Sequence, residues 1–316
     1  MLREWKEKEY IPPKTMLKLF IKGSFALSKV LIKNLNQLKK VRTQKVDYTP
    51  PKRMYELPEY KPEMKFVKSN EKYLRPTLYC NPYAKEVIAL ANELGAFEKD
   101  PYEYANDAFE FVKRKIILQI MPLDGVVETL KRGYGTCLHK ISVFLALCRV
   151  AGLKARYKLY APAVIQQWYE TFIAPDPLMK EWYNAMGYFM LHGEGEVLID
   201  GKWHVADVGP TPERQAAAGI PITKFGEDSL GVWLQAIPGS IMRTESLPIG
   251  LGLASRILME KISPGSVAKI NNSILAQYEK GKKILAEMGE EEYDRKARKG
   301  YKMPTIELES KGIIFE

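Results

Sequence analysis

The chain has 316 residues, 46% of them hydrophobic and 27% charged, which is enough to bury a large core. Its three cysteines and three histidines exclude a disulfide framework and leave little for a metal site, so a reducing cytoplasm is the expected compartment. The charged first residues lack the apolar stretch of a signal peptide, and no run of about 18 uncharged apolar residues predicts a membrane span.

The formal net charge of +10 lies in the N-terminal sixth, since residues 1–53 hold fourteen Lys and Arg but four acids. Residues 14–45 contain no acid, and their spacing predicts an amphipathic helix. A lysine stripe backed by a broad apolar face is typical of a helix on an anionic membrane surface, and equally of a helix docked on the core. Nucleic acid is not favoured, because only Phe25 interrupts the stripe. The stripe consists of Lys18, Lys22, Lys29, Lys33 and Lys40.

Prolines then punctuate residues 48–83, which we interpret as an extended connector and a domain boundary. Helical periodicity returns over residues 84–94, which Gly95 ends. A second helix is predicted from Pro101 to about residue 117, because proline is favoured in the first turn.

The most apolar helix of the chain is predicted over residues 137–151. Two glycines allow a tight turn before it, and Thr136 is an acceptable N-cap, which places Cys137 in the first turn. Because a helix N-terminus favours negative charge, we expect a lowered pKa for the Cys137 thiol and an oxyanion site at its backbone N–H. A cysteine entering an apolar helix can equally belong to the core, as we expect for Cys148.

Strands are predicted after this helix, the first over residues 155–160. Alternating runs over 195–199 and 202–208 flank Asp200-Gly201, a dipeptide typical of a two-residue hairpin turn. The sequence therefore predicts an antiparallel hairpin directly after an aromatic-rich insertion at residues 161–191.

The hairpin register selects one of the three histidines as a base. It places His192 opposite residue 209 and gives it Asp207 as a diagonal neighbour on the same face, close enough to accept an imidazole N–H. His204 points to the other face, and His139 lies about 200° around the helix from Cys137. The spacing alone also fits a half-buried histidine that is satisfied by an acid.

Three segments resemble the transglutaminase-like superfamily. Residues 133–157 (GYGTCLHKISVFLALCRVAGLKARY) are similar to its cysteine helix and following strand, including the Ala-Leu-x-Arg-x-x-Gly-Leu-x-Ala-Arg ending. Residues 192–207 (HGEGEVLIDGKWHVAD) resemble its histidine strand with the closing aspartate, and residues 100–115 (DPYEYANDAFEFVKRK) resemble the helix that leads into the core. The likeness covers roughly residues 84–210.

This resemblance implies an α+β papain/transglutaminase-like core, in which the cysteine helix packs on an antiparallel sheet and helical extensions flank the core. It implies a catalytic triad of Cys137, His192 and Asp207 that cleaves or exchanges amide bonds through a thioester, without a metal or organic cofactor. The expected domains are a helix at 1–47, the connector at 48–83, the core at 84–240 and a helical extension at 241–316.

Two features leave alternatives open. The position two after the histidine is often aromatic in this superfamily, but here Glu194 stands between two glycines and could bind a substrate cation or be a solvated edge residue. The insertion at residues 161–191 could form a lid or an apolar pocket through residues such as Trp168 and Trp182, or an accessory helical pair that packs its own aromatics.

The sequence thus predicts a cytoplasmic cysteine hydrolase of peptide-like amide bonds. The alternatives are an acyltransferase with an amine acceptor, working at a membrane surface, and a binding protein whose triad is retired.

Overall fold

The computed structural model describes residues 1–186 and 191–303, apart from the side chain of Val41. The helices run over Leu2–Glu7 (α1), Lys14–Lys33 (α2), Leu35–Thr43 (α3), Lys85–Glu93 (α4), Pro101–Lys115 (α5), Val126–Arg132 (α6), Cys137–Val150 (α7), Gln166–Phe172 (α8), Pro177–Met186 (α9), Pro212–Ala217 (α10), Leu251–Arg256 (α11), Pro264–Met288 (α12) and Glu290–Gly300 (α13), with a π-helix over Ile257–Ile262. The strands run over Ile117–Leu118 (β1), Tyr134–Gly135 (β2), Ala155–Tyr160 (β3), Pro162–Val164 (β4), His192–Ile199 (β5), Lys202–Ala206 (β6), Leu234–Ala236 (β7) and Met242–Thr244 (β8).

A four-stranded antiparallel sheet in the order β6-β5-β3-β8 carries the core. The hairpin β5–β6 turns at Asp200 and Gly201, whose φ angles of 50° and 76° are those of the mirror-image turns that match strand twist. Ile199 pairs with Lys202 and Gly195 with Ala206, so the predicted register is confirmed. Helix α7, whose residues from His139 to Val150 are all buried, packs against β5 and β3.

The fold class is the predicted α+β arrangement, and the predicted helices and strands of the central region lie close to their observed bounds. Residues 14–45 are not one helix, because α2 and α3 are separated at Asn34. In the predicted helical extension, α12 and α13 are separated at Gly289, whose φ of 80° is left-handed. The core does not end at residue 240 as expected, since β8 completes the sheet beside β3.

Helix α2 presents two different faces. Met16, Leu19 and Val30 are buried, and the helix lies along α9 of the insertion. Its other side exposes a series of large apolar residues, which we call the α2 stripe: Leu17, Ile21, Phe25 and Ile32, between 50% and 70% exposed. Across the part of the chain that the structure describes, no helix has both the length and the apolarity to cross a membrane.

Candidate active site

The start of α7 is fixed by a capping box. The Thr136 side chain and the His139 imidazole cap each other's backbone, with Thr136 Oγ1 2.8 Å from His139 Nδ1. The Nε2 atom of the same ring lies 3.1 Å from Asp124 Oδ1. His139 therefore serves the helix terminus, and burial lowers its pKa. This matches the prediction that it points away from the thiol.

The Cys137 sulfur lies among backbone N–H groups at this helix terminus. The backbone amides of Leu138 and Gly193 lie near it and favour its charged form, and the residue is partly exposed. Burial nevertheless raises the pKa of the Cys137 thiol to about 11, because these amides and its own do not offset desolvation, and the Asp207 charge adds to it. The expected lowering of this pKa is wrong. The resting group is a thiol.

Gly193 and Gly195 bring the histidine strand close to the cysteine helix. A Cβ on Gly193 would lie 2.6 Å from Leu159 Cδ2 and 2.9 Å from the Lys158 carbonyl. A Cβ on Gly195 would lie 2.7 Å from Phe144 Cδ1 of α7. Only glycine fits at these two positions, and the close approach lets the Gly193 amide reach the sulfur.

His192 begins β5, and two aromatic rings hold its imidazole. The ring centroid lies 5.7 Å from that of Tyr160 and 5.1 Å from that of Trp233, both edge to face. Burial lowers the pKa of His192 to about 4, with Lys158 adding to the effect and Asp207 opposing it. The imidazole is therefore neutral at physiological pH and can accept a proton.

Asp207 is fully buried and anchored through one carboxylate oxygen. Its Oδ2 atom accepts hydrogen bonds from Thr223 Oγ1 at 3.1 Å and from Trp233 Nε1 at 3.0 Å. Its Oδ1 atom and the Nε2 atom of His192 are buried without hydrogen bond partners. Both lie beside Gly209, where a Cβ would be 3.4 Å from Oδ1 and 3.8 Å from Nε2.

The three predicted triad residues are thus brought together in one region. The Cys137 sulfur lies near the backbone amide of Gly193, which follows His192. The His192 imidazole and the Asp207 carboxylate both lie beside Gly209. No hydrogen bond joins Nε2 to Oδ1 in this structure. If the neutral imidazole carries its proton on Nε2, this N–H group is a donor that complements the unpartnered acceptor Oδ1 of Asp207.

Glu194 is neither a solvated edge residue nor open to a substrate. It is fully buried, and its Oε2 atom accepts from Lys158 Nζ at 2.8 Å. Its Oε1 atom accepts from the Ser229 amide at 2.7 Å and from the Ser229 hydroxyl. Burial raises its pKa to about 8, Asp207 adds to this, and Lys158 opposes it. Its expected role in substrate binding is replaced by an internal one beneath the histidine.

The insertion forms the helical pair α8 and α9, which bury the two tryptophans in different places. Trp168 is 2% exposed and stacks on Trp233 with ring centroids 4.7 Å apart, which brings it within one ring of His192. Trp182 packs instead with Leu19 of α2, away from this network. Substrate binding by Trp182 therefore has no support in the structure. Tyr188 and Phe189 of the insertion lie outside the described residues.

Several residues of this site carry no sequence signal. Trp233, Thr223 and Ser229 come from the irregular segment between α10 and β7, where no periodicity orients a side chain. Lys113 donates from α5 to the Asp207 carbonyl at 3.1 Å and to Thr223 Oγ1 at 2.9 Å. Within the described ranges, no group of three or more His, Cys, Asp or Glu side chains could hold a metal ion.

Comparison with known proteins agrees with this arrangement. Residues 88–208 match the model of the transglutaminase-like superfamily. The match covers both the cysteine helix and the hairpin with His192 and Asp207, and it supports a cysteine-dependent enzyme in general.

A solved structure from Cytophaga hutchinsonii, provisionally described as a cysteine protease, is 18% identical to the chain with a TM-score of 0.32. The alignment covers 46% of this chain and 46% of that one, so the chain spans about half the length of this neighbour. No curated protein matches the chain.

Proposed function

We propose that the protein is a cysteine-dependent acyl-transfer enzyme that hydrolyses peptide-like amide bonds through a thioester at Cys137. The observation that carries the proposal is that the Cys137 thiol lies near the backbone amide of Gly193, the residue that follows His192. The neutral imidazole and the adjacent Asp207 carboxylate supply the base and its orienting group.

The reaction starts from two neutral groups. His192 takes the thiol proton as the sulfur attacks the carbonyl carbon, and the carbonyl electron pair moves to the oxygen, near the N–H groups at the start of α7. When the tetrahedral intermediate collapses, the C–N bond breaks and His192 returns the proton to the leaving amine. Asp207 steadies the imidazolium formed in between. Water then attacks the thioester and restores the thiol.

The alternative is transfer to an amine instead of water. Both reactions share the thioester, so the acceptor decides between them. Trp168 and Trp233 make the surroundings of the imidazole apolar. Water is nevertheless smaller than any amine, so it can reach the thioester more easily. Hydrolysis is therefore the first proposal, and an amide-forming acyltransferase the second.

Acylation by p-nitrophenyl acetate, followed by intact-mass spectrometry and peptide mapping, tests the proposal. We expect one acetyl group on Cys137. His192→Ala should slow its formation by at least about 100-fold, because general base catalysis contributes about that much. The matched control is His204→Ala, since this histidine lies on the opposite face of the hairpin beside Tyr102 and Phe225 and should not affect the rate.

Selective labelling alone is no test, because Cys80 and Cys148 are fully buried while Cys137 is partly exposed. Equal acetylation rates for wild type and His192→Ala would contradict the proposal. Release of the acetyl group in buffer, compared with release in added glycine amide, separates hydrolysis from transfer. Formation of the acetylated amine in preference to acetate would favour the acyltransferase.

We also propose that the α2 stripe places the enzyme on an anionic membrane surface. The exposed apolar residues lie beside exposed lysines, and Lys29 Nζ lies 4.4 Å from the Phe25 ring centroid. Apolar burial together with attraction to anionic lipid is the usual mode of interfacial helices. The docked face of α2 does not compete with this role, because it is the opposite one.

Sedimentation with phosphatidylserine-containing vesicles tests this placement. At low salt we expect binding that falls at high ionic strength, that is absent for neutral vesicles, and that is lost in Leu17→Ser/Ile21→Ser/Phe25→Ser. This variant retains Met16, Leu19 and Val30, the docked face, which deletion of the helix would remove. Full-length protein that stays in the supernatant with anionic vesicles at low salt would contradict membrane placement.

A further inference from the structure

Arg214 has a buried side chain with two N–H groups that lack a hydrogen-bond acceptor. The residue lies in α10 and is 2% exposed, and its Nε and Nη1 atoms are buried without partners. Burial lowers the pKa of Arg214 to about 9. Buried guanidinium groups in folded proteins are ordinarily paired with an anion.

Two aromatic rings of the insertion pack on this guanidinium. Its Cζ atom lies 4.2 Å from the centroid of Trp168 and 4.7 Å from that of Phe172. The rings stabilise the cation through their faces. They offer no acceptor to the N–H groups, which lie in the guanidinium plane and match the two oxygens of a carboxylate or phosphate.

The surroundings of Arg214 hold further buried basic residues. Lys113 and Lys140 are both fully buried, and Lys140 Nζ donates only to the Lys113 carbonyl, at 3.2 Å. Burial lowers the pKa of Lys140 well below its usual value, and the nearby positive charges of Lys113 and Arg214 lower it further, against Asp207 and Glu213. Arg214, Lys113 and Lys140 thus outnumber the two nearby acids, the buried Asp207 and the half-buried Glu213, and an excess of basic groups favours an anion.

A continuous layer of rings connects this cation to the proposed catalytic base. Trp168 packs on Arg214 on one side and stacks on Trp233, and Trp233 meets the His192 imidazole edge to face. Lys140 also lies one turn after Cys137 on the same helix, α7. The unpaired guanidinium therefore belongs to the same side of the molecule as the reacting groups.

We propose that Arg214 binds an anionic group, a carboxylate or a phosphate, on the substrate whose acyl carbon Cys137 attacks. This inference rests on the proposed function and narrows its substrate to an acidic acyl donor. Because Trp168 and Phe172 cover the guanidinium, an anion that binds there changes the environment of Trp168.

Anion titrations of the Cys137→Ala protein test the site without any turnover. Sodium acetate and sodium phosphate are added separately, with sodium chloride at equal ionic strength as reference, and melting temperature and tryptophan emission are followed. We expect one or both anions to raise the melting temperature and shift the emission. The stronger of the two identifies carboxylate or phosphate as the preferred group.

Arg214→Met in the same background should weaken this binding at least about tenfold, because the charge and the planar donor set are lost. Arg214→Lys keeps the charge but not the donor geometry, so we expect intermediate binding. The matched control is Arg256→Met, which removes one exposed positive charge elsewhere. If Arg214→Met fails to fold, the Arg214→Lys titration and the anion response of the parent protein decide.

The outcomes separate this inference from the proposed function. Unchanged binding in Arg214→Met and Arg214→Lys, or no response of the parent to either anion, overturns the site even if Cys137 is acylated normally. Anion binding that depends on Arg214, in a protein whose Cys137 does not acylate, supports the site and contradicts the enzyme.

Discussion

The two faces of the central sheet are stabilised by different interactions. Towards α7, β5 presents Gly193, Gly195 and Val197, and the face is apolar and closely packed. The opposite face of the same strand presents His192, Glu194 and Glu196.

Each acid on this polar face has its own cations. Glu196 accepts from Arg156 at 2.6 Å and from Arg243 at 3.1 Å, and Glu194 accepts from Lys158 at 2.8 Å. The apolar face therefore packs closely because two of its positions are glycine, and on the polar face both glutamates are paired with cations. The Gly193 backbone, which lies near Cys137, joins the helix side to the strand that carries His192.

The largest expected effect concerns the protonation state of the Cys137 thiol. With a Cys137 pKa of about 11 and a His192 pKa of about 4, both groups are neutral between these values. Alkylation of Cys137 by iodoacetamide should rise about tenfold per pH unit between about pH 8 and pH 10, as the thiolate fraction grows. Stopped-time alkylation with mass spectrometry measures this rate.

A thiolate–imidazolium pair would behave differently. Its alkylation rate would already be high at about pH 6 and flat up to about pH 9. Such a plateau would show that the pKa of the Cys137 thiol is lowered, as its position at the helix terminus predicts. The iodoacetamide reaction of unfolded protein gives the reference rate for an ordinary thiol.

A smaller effect is expected from filling the apolar face. Gly195→Ala puts a methyl group 2.7 Å from Cδ1 of Phe144, which is fully buried and cannot move aside. We expect a loss of about 1–3 kcal/mol in the free energy of unfolding, as for other overpacked cores. Urea denaturation measures it. Because the strand must shift, acylation of Cys137 should slow as well.

Gly250→Ala is the matched control, since a Cβ there meets nothing within 4 Å. It should change the free energy of unfolding by less than about 0.5 kcal/mol. If Gly195→Ala were equally harmless, close packing of β5 on α7 would not be what positions His192.

The sequence predicted the parts of this site that depend on local rules. A period of two and an Asp-Gly turn fix the hairpin register, so the shared face of His192 and Asp207, and the opposite face for His204, followed from spacing. The thiol pKa did not follow, because it depends on the desolvation that the folded surroundings impose on Cys137. The hydrogen-bond partners of Asp207 could not be predicted either, since Trp233 and Thr223 come from an irregular segment. Glu194 appeared exposed only because its cover, residues 228–233, has no periodic pattern.

Because Cys80 and Cys148 are buried, a thiol assay can measure how much of a preparation is folded with a free Cys137. Of its three cysteines, Cys80 and Cys148 are buried, and Cys137 is partly exposed. A thiol assay on the native protein is therefore expected to count one thiol per folded molecule, and the same assay in denaturant counts three. Three times the native count divided by the denatured count then gives the fraction of a preparation that is folded with a free Cys137, before a substrate has been found.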